Sequence, residues 1–193
     1  MIPNIKKYYN SDTETVYKKD LEKAKSLMKE AGYTDGFDLT ITVPNNYGPH
    51  QTTAEVIVED LKQIGIRAKI NLIEFTSWVS DCYNKRNYQA TVVAVDGTLA
   101  PNSWFAKNVS NSPNNFTNYK NSQFDKLFAQ AKATTSEQDK VSKYKEMQKI
   151  LADDAASVYI QDPANLIAVN KKLAGYTCYP VAAQDMSKVG FTK

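Results

Sequence analysis

Phe37-Asp-Leu-Thr-Ile-Thr-Val43, Pro44-Asn-Asn-Tyr-Gly-Pro49, a stretch from His50 to Ile64 closed by Gly65, and, after Ile66, Arg67-Ala-Lys-Ile-Asn-Leu-Ile-Glu74 follow one another. The first segment alternates apolar and polar residues and is rich in β-branched side chains, so it reads as a strand. A loop with a proline at each side ends it. Ala54, Ile57, Val58, Leu61 and Ile64 then fall on one stripe of a helix over about 50–64. Gly65 stops that helix, and the second strand runs over about 67–74. Strand, helix and strand in this order predict a right-handed crossover between parallel strands.

The pattern extends outward in both directions. Upstream, Leu21, Ala24, Leu27, Met28 and Ala31 recur at helical spacing over about 18–31, with Asp20 as N-cap and Gly32 as the left-handed stop. Residues 1–13 are a polar lead-in. Downstream, Phe75, Trp78, Val79, Cys82 and Tyr83 predict a helix over about 76–86, with Trp78 facing the core. Residues 89–95 then read as a third strand whose core is an unbroken apolar run, as in a strand covered on both faces. The sequence therefore predicts an α/β fold, a mixed and mostly parallel sheet flanked by helices. Residues 107–122 are rich in Asn and Ser and read as a long surface loop. Two helices are expected over about 122–133 and 137–153, then short strands over 157–161 and 165–170. No internal repeat or linker interrupts the chain.

Composition removes several function classes. The chain has 193 residues, 42% hydrophobic and 23% charged, enough for a real core. No run of 18 or more apolar residues occurs. A formal net charge of +3 gives no electrostatic case for nucleic acid. With one histidine, His50, a multi-histidine metal site cannot form. The seven glycines make neither of the common nucleotide cradles. No metal and no cofactor is expected. Cys82 and Cys178 are expected as buried free thiols.

In open α/β sheets, ligands bind beyond the carboxyl ends of the strands. Two loops fall there, 44–49 and 96–101. Asn45 and Asn46 offer amide donors and acceptors, and Tyr47 offers a ring. Asp96 directly follows the third strand, where its carboxylate can meet a ligand ammonium group or cap the following turn. Gly97, Thr98 and Trp104 complete the candidate set, although core packing is the commoner fate of a tryptophan. His50, in a first helical turn, reads as exposed. Asn108-Val-Ser110 and Asn115-Phe-Thr117 match the glycosylation sequon, a short and weak pattern.

Asp20-Leu-Glu-Lys-Ala-Lys-Ser-Leu-Met-Lys-Glu-Ala-Gly-Tyr33, Ala54-Glu-Val-Ile-Val-Glu-Asp-Leu-Lys-Gln-Ile-Gly-Ile66 and Asn118-Tyr-Lys-Asn-Ser-Gln-Phe-Asp-Lys-Leu127 resemble, in order, segments of the bacterial family 5 extracellular solute-binding proteins. These are the oligopeptide- and dipeptide-binding components of ABC importers. Ile150-Leu-Ala-Asp-Asp-Ala155 and Val158-Tyr-Ile160 match a fourth segment in part. The resemblance implies one lobe of a type II periplasmic-binding-protein fold. Residues 1–193 would form the C-terminal lobe of a two-lobed clamp, with 1–14 and 177–193 near the inter-lobe crossings. It implies a binding protein and not an enzyme, most readily a monomer. Its partners would be a peptide ligand, the other lobe and a membrane permease.

The N-terminus, Met1-Ile-Pro-Asn-Ile-Lys-Lys7, has no apolar core of a signal peptide. The resemblance therefore implies a piece of a longer, exported lipoprotein, periplasmic or extracellular. In the family, an acid in the strand-end loop meets the peptide amino group. Asp96 is the nearest acid here, but the usual Gly-Trp pair is lacking. The basic residue of dipeptide binders has no counterpart in Pro44-Asn-Asn-Tyr-Gly48. Longer peptides, or a nickel chelate, haem, a sugar or an opine, stay open as ligands. The remaining rivals are a small α/β enzyme using Asp96 or His50, and an interaction module built on the 107–122 loop.

Overall fold

The computed structural model describes residues 5–95, 100–162, 166–179 and 184–192. The chain divides into two compact units, one of Glu14–Asp96 with Lys107–Asn121, the other of Met1–Thr13, Gly97–Ala106 and Ser122–Lys193.

The first unit contains the expected parallel sheet. Strand β1 (Asp38–Pro44) lies between β2 (Arg67–Ile73) and β3 (Ala90–Thr91), parallel to both. Helix α1 (Leu21–Glu30) precedes β1, and α2 (Gly48–Lys62) makes the crossover from β1 to β2. The Asp20 side chain accepts from the Lys23 N–H and caps α1. Its other end closes with Gly32 N–H donating to the Lys29 carbonyl and Tyr33 N–H to that of Met28, around a φ of +85° at Gly32. This double bond uses carbonyls a helix end otherwise leaves unpaired. Central position buries Ile41 and Val43 of β1 against Ala54, with Ile57, Val58, Leu61 and Ile70 around them. Each fully buried aliphatic side chain contributes roughly 1.5–3 kcal/mol.

The third strand corrects the sequence reading. Only two residues of the 89–95 run enter the ladder, and Val95 is exposed. Among the described residues no strand pairs on its outer side, so it is an edge and not a strand buried on both faces. The helix expected over about 76–86 is a short α-helix, α3 (Phe75–Trp78), that widens into a π-helical turn over Val79–Asn84. Trp78 is buried, and its Nε1–H donates to Thr91 Oγ1, which donates to the Thr42 carbonyl. That relay fixes the turn to β3 and β1.

The 107–122 loop is also tighter than its composition suggests. Asn115 is 2% exposed, with its Nδ2 donating to the carbonyls of Val109 and Tyr119. The sequon reading at Asn115 therefore fails, because its amide nitrogen is buried and engaged.

The second unit holds α4 (Pro101–Phe105), α5 (Ser122–Ala133) and α6 (Glu137–Asp153), the last two as predicted. Phe105, Phe124, Met147 and Leu151 are fully buried, and the Tyr144 ring stacks on Phe105 at 5.2 Å. Residues 5–10 are strapped to α6: buried Gln148 accepts from Asn10 N–H and donates to the Tyr8 carbonyl. Strands were expected over 157–161 and 165–170. Residues 157–162 and 166–170 join no sheet, and they expose Val158, Ile160 and Leu166. Two short strands, β4 (Leu173–Ala174) and β5 (Gly190–Phe191), pair antiparallel instead.

Candidate functional site

Parallel pairing places Pro44 beside Ile73 and Thr42 beside Thr91, so the chain leaves all three strands at the same end of the sheet. The candidate site is built there from three exits, 45–47, 74–75 and 92–95. Asn45 N–H continues the ladder by donating to the Ile73 carbonyl, and its side-chain Nδ2 donates to Glu74 Oε1 at 2.8 Å. Gln51, one turn into α2, donates to the Asn45 carbonyl at 2.7 Å. The Asn45 amide is thus a brace that joins two strand exits. Asn46 beside it is exposed.

Tyr47 occupies the N-cap position of α2 and makes no capping bond. Its ring meets Phe75 edge-on at 5.7 Å and lies 5.0 Å from the His50 imidazole. Both Tyr47 and Phe75 keep part of their surface open, at 43% and 38% exposure. Behind them Phe75 stacks on Trp78, and Trp78 continues to Tyr83 and Phe116. The rim is therefore the open end of a continuous row of rings. In the sequence Phe75 entered only as part of the stripe of the following helix. Its place directly after the second strand was the signal for a rim residue.

His50 departs from its expected role. It is half-buried, and its Nε2 accepts a hydrogen bond from Ala94 N–H at 3.1 Å. Burial pushes its pKa below the ordinary histidine value. Trp104 belongs to the other unit, half-buried and edge-on to Phe105 at 5.1 Å with Tyr159 at 6.2 Å. Asp96, Gly97 and Thr98 lie outside the described residues. So Asn45, Asn46 and Tyr47 stand together at the sheet end, and the other four candidates are not shown there.

The rim carries amide groups, a carboxylate engaged by an amide, and two aromatic faces. That set can hold a polar, partly apolar ligand by hydrogen bonding and ring contact. Among the described residues no group of three or more His, Cys, Asp or Glu side chains gathers as a metal site. No described helix is long and apolar enough to cross a membrane.

Residues 1–117 match the profile of the bacterial extracellular solute-binding proteins, family 5 Middle. The chain belongs to that family. It is 27% identical over 197 residues to the dipeptide-binding protein of Escherichia coli strain K12, a match covering 98% of this chain and 37% of that protein. Among solved structures, the ABC transporter-associated periplasmic binding protein DppA from Helicobacter pylori, in complex with the peptide STSA, superposes with a TM-score of 0.82 at 26% identity. That match covers all of this chain and 39% of DppA. The oligopeptide-binding protein AppA from Bacillus subtilis, in complex with a nonapeptide, shares the fold with a TM-score of 0.76 over 92% of this chain and 40% of its own. This family 5 chain thus spans about two-fifths of such relatives. Its α/β architecture is part of a periplasmic-binding-protein fold, and its family is one of transporter binding proteins rather than enzymes.

Proposed function

We propose that this chain forms one wall of a peptide-binding cleft in the substrate-binding component of an ABC importer. The observation that carries the reading is the rim at the shared end of the parallel strands, where Tyr47 and Phe75 present open ring surface beside Asn45 and Asn46. A peptide matches that chemistry, with its backbone amides for hydrogen bonds and its side chains for the rings. The relatives named for dipeptide and oligopeptide binding support the ligand class. Asp96, with Gly97 and Thr98, is assigned to the peptide amino group.

The rest of the cleft comes from the other lobe, which the longer relatives have room to supply. Val158 is 85% exposed and Leu166 95%, in a segment of strand-like composition that joins no ladder. Such a segment is suited to pairing with more of the same polypeptide. On this reading residues 1–193 act as a single lobe of the complete protein. That protein is exported, anchored as a lipoprotein, and delivers its peptide to a membrane permease after hinge closure.

With half the contacts absent, the isolated chain binds peptide weakly. The test is nuclear magnetic resonance of the ¹⁵N-labelled chain with millimolar tri- to pentapeptides. The expected result is shifts confined to residues 45–47, 74–75 and 92–98, reduced for Asp96→Ala when the peptide amino group is free. Absence of shifts at millimolar peptide, or shifts only elsewhere, overturns the reading.

A further inference from the structure

We propose that His50 is a positioning residue for the loop that leaves β3, tethering it in the neutral state and releasing it when protonated. The inference rests on the reading that this loop faces the ligand.

The tether is the bond from Ala94 N–H to His50 Nε2, 3.1 Å long. Beyond Thr91 the strand has left the ladder, so this bond holds backbone that pairing no longer holds. An imidazole nitrogen that accepts a hydrogen bond carries no proton, so the single proton of the neutral ring resides on Nδ1. Nδ1 is itself buried with no hydrogen-bond partner in the described structure. Among the described residues the ring is therefore oriented by the Ala94 bond at one nitrogen and by the Tyr47 ring at 5.0 Å, and no carboxylate bonds it. A buried, unpartnered donor is unfavourable, and a histidine kept only for packing has no need of it.

Protonation inverts the contact. A second N–H at Nε2 would point at the N–H of Ala94, and two donors cannot bond. The surroundings do little to favour the cation. The first turn of α2 holds no acidic residue. From β1 and its exit the neighbour is the Tyr47 ring. From β2, Glu74 follows the strand, and its carboxylate accepts from Asn45 Nδ2. From the β3 exit, Ala94 presents its N–H, and Asp96 follows two residues later in sequence. Burial acts in the same direction, holding the imidazole neutral to lower pH than usual. Above its depressed pKa the loop is tethered; as pH falls through that value the tether is lost.

Because the chain has one histidine, its ring signals are unambiguous. Nuclear magnetic resonance should find the Nδ1–H tautomer at pH 7.5. The hydrogen-exchange protection of the Ala94 amide should fall about tenfold as His50 titrates. His50→Gln offers a non-titrating acceptor at similar reach and should keep Ala94 protected at all pH values. His50→Leu should lose the protection at all pH values, and a well-dispersed amide spectrum checks that it folds. An Nε2–H tautomer, an Ala94 amide indifferent to the titration, or a protected Ala94 in His50→Leu overturns the proposal. Adding tripeptide at pH 7.5 separates the two readings. Peptide shifts with an indifferent Ala94 leave binding standing and remove His50's role. A titrating tether with no peptide effect removes the binding reading and His50's part in recognition with it.

Discussion

Gln148 Nε2 donates to the carbonyl of Tyr8 at 2.7 Å, joining residues 140 positions apart. The same side chain accepts from Asn10 N–H at 3.2 Å and is fully buried. Gln148→Leu keeps most of the volume but leaves the Tyr8 carbonyl and the Asn10 N–H without their partner. The expected cost is about 1–3 kcal/mol, the range for an unsatisfied buried polar group. Urea unfolding measures it, and a midpoint within error of the parent would show that the strap is not needed.

Gly36 and Gly32 both have positive φ, at +70° and +85°, but differ in surroundings. A Cβ at Gly36 would sit 1.7 Å from the Gly65 carbonyl oxygen, whereas one at Gly32 meets nothing within 4 Å. Gly32→Ala therefore costs only the left-handed penalty, about 1–2 kcal/mol. Gly36→Ala adds displacement of a backbone and should cost clearly more. Equal losses on thermal unfolding would contradict the close approach.

Tyr8 donates to Glu137 at 2.5 Å, and Lys7 pairs with the same carboxylate at 2.8 Å. The Lys7 bond, then the Tyr8 bond, hold the Glu137 pKa below its ordinary value. The bond to Glu137, aided by burial, pushes Tyr8 up to about 12. A depressed carboxylate contributes stability above its unfolded pKa and loses it as pH falls through the folded value. A raised phenol contributes below about 10 and loses it as pH climbs toward about 12. Melting temperature should therefore decline at both extremes, and Glu137→Gln should flatten both limbs. Unchanged limbs in that variant would refute the assignment.

Cys82 is 1% exposed and its thiol is pushed up by burial and then by the Asp81 charge, while Cys178 is exposed. Native protein should react with one equivalent of a thiol reagent, at Cys178, and unfolded protein with two. Two fast equivalents in the native state would show that the π-helical turn Val79–Asn84 opens readily.

The parallel sheet and helices α1 and α2 were legible because periodicity, an N-cap and glycine stops agreed over long segments, and α5 and α6 match their expected ranges. Asp20, Gly32 and the stripe from Ala54 to Ile64 each predicted what forms. Where the reading failed, the outcome depended on partners far along the chain. Val92 to Val95 look like strand, but only a neighbouring strand could have made them one. Val158 to Ile160 fail for the same reason, and so does Cys178, expected to be buried in a strand-like tail segment but exposed. At the site, the exit loops followed from strand order, and Tyr47 with them. The His50–Ala94 contact did not, because 44 residues separate the two and no spacing rule links an imidazole to a distant backbone amide.

The row of rings behind Tyr47 bears on the entropy of recognition. A tyrosine free to rotate gives up conformational freedom when a ligand fixes it, at about 0.5–1.5 kcal/mol for a mobile side chain. Wedged between His50 and Phe75, with Phe75 stacked on the buried Trp78, the Tyr47 ring has given up that freedom during folding. On the proposed function, a peptide would meet the rim as a preordered edge, and discrimination there would fall to the shape of the ligand rather than to accommodation by the protein.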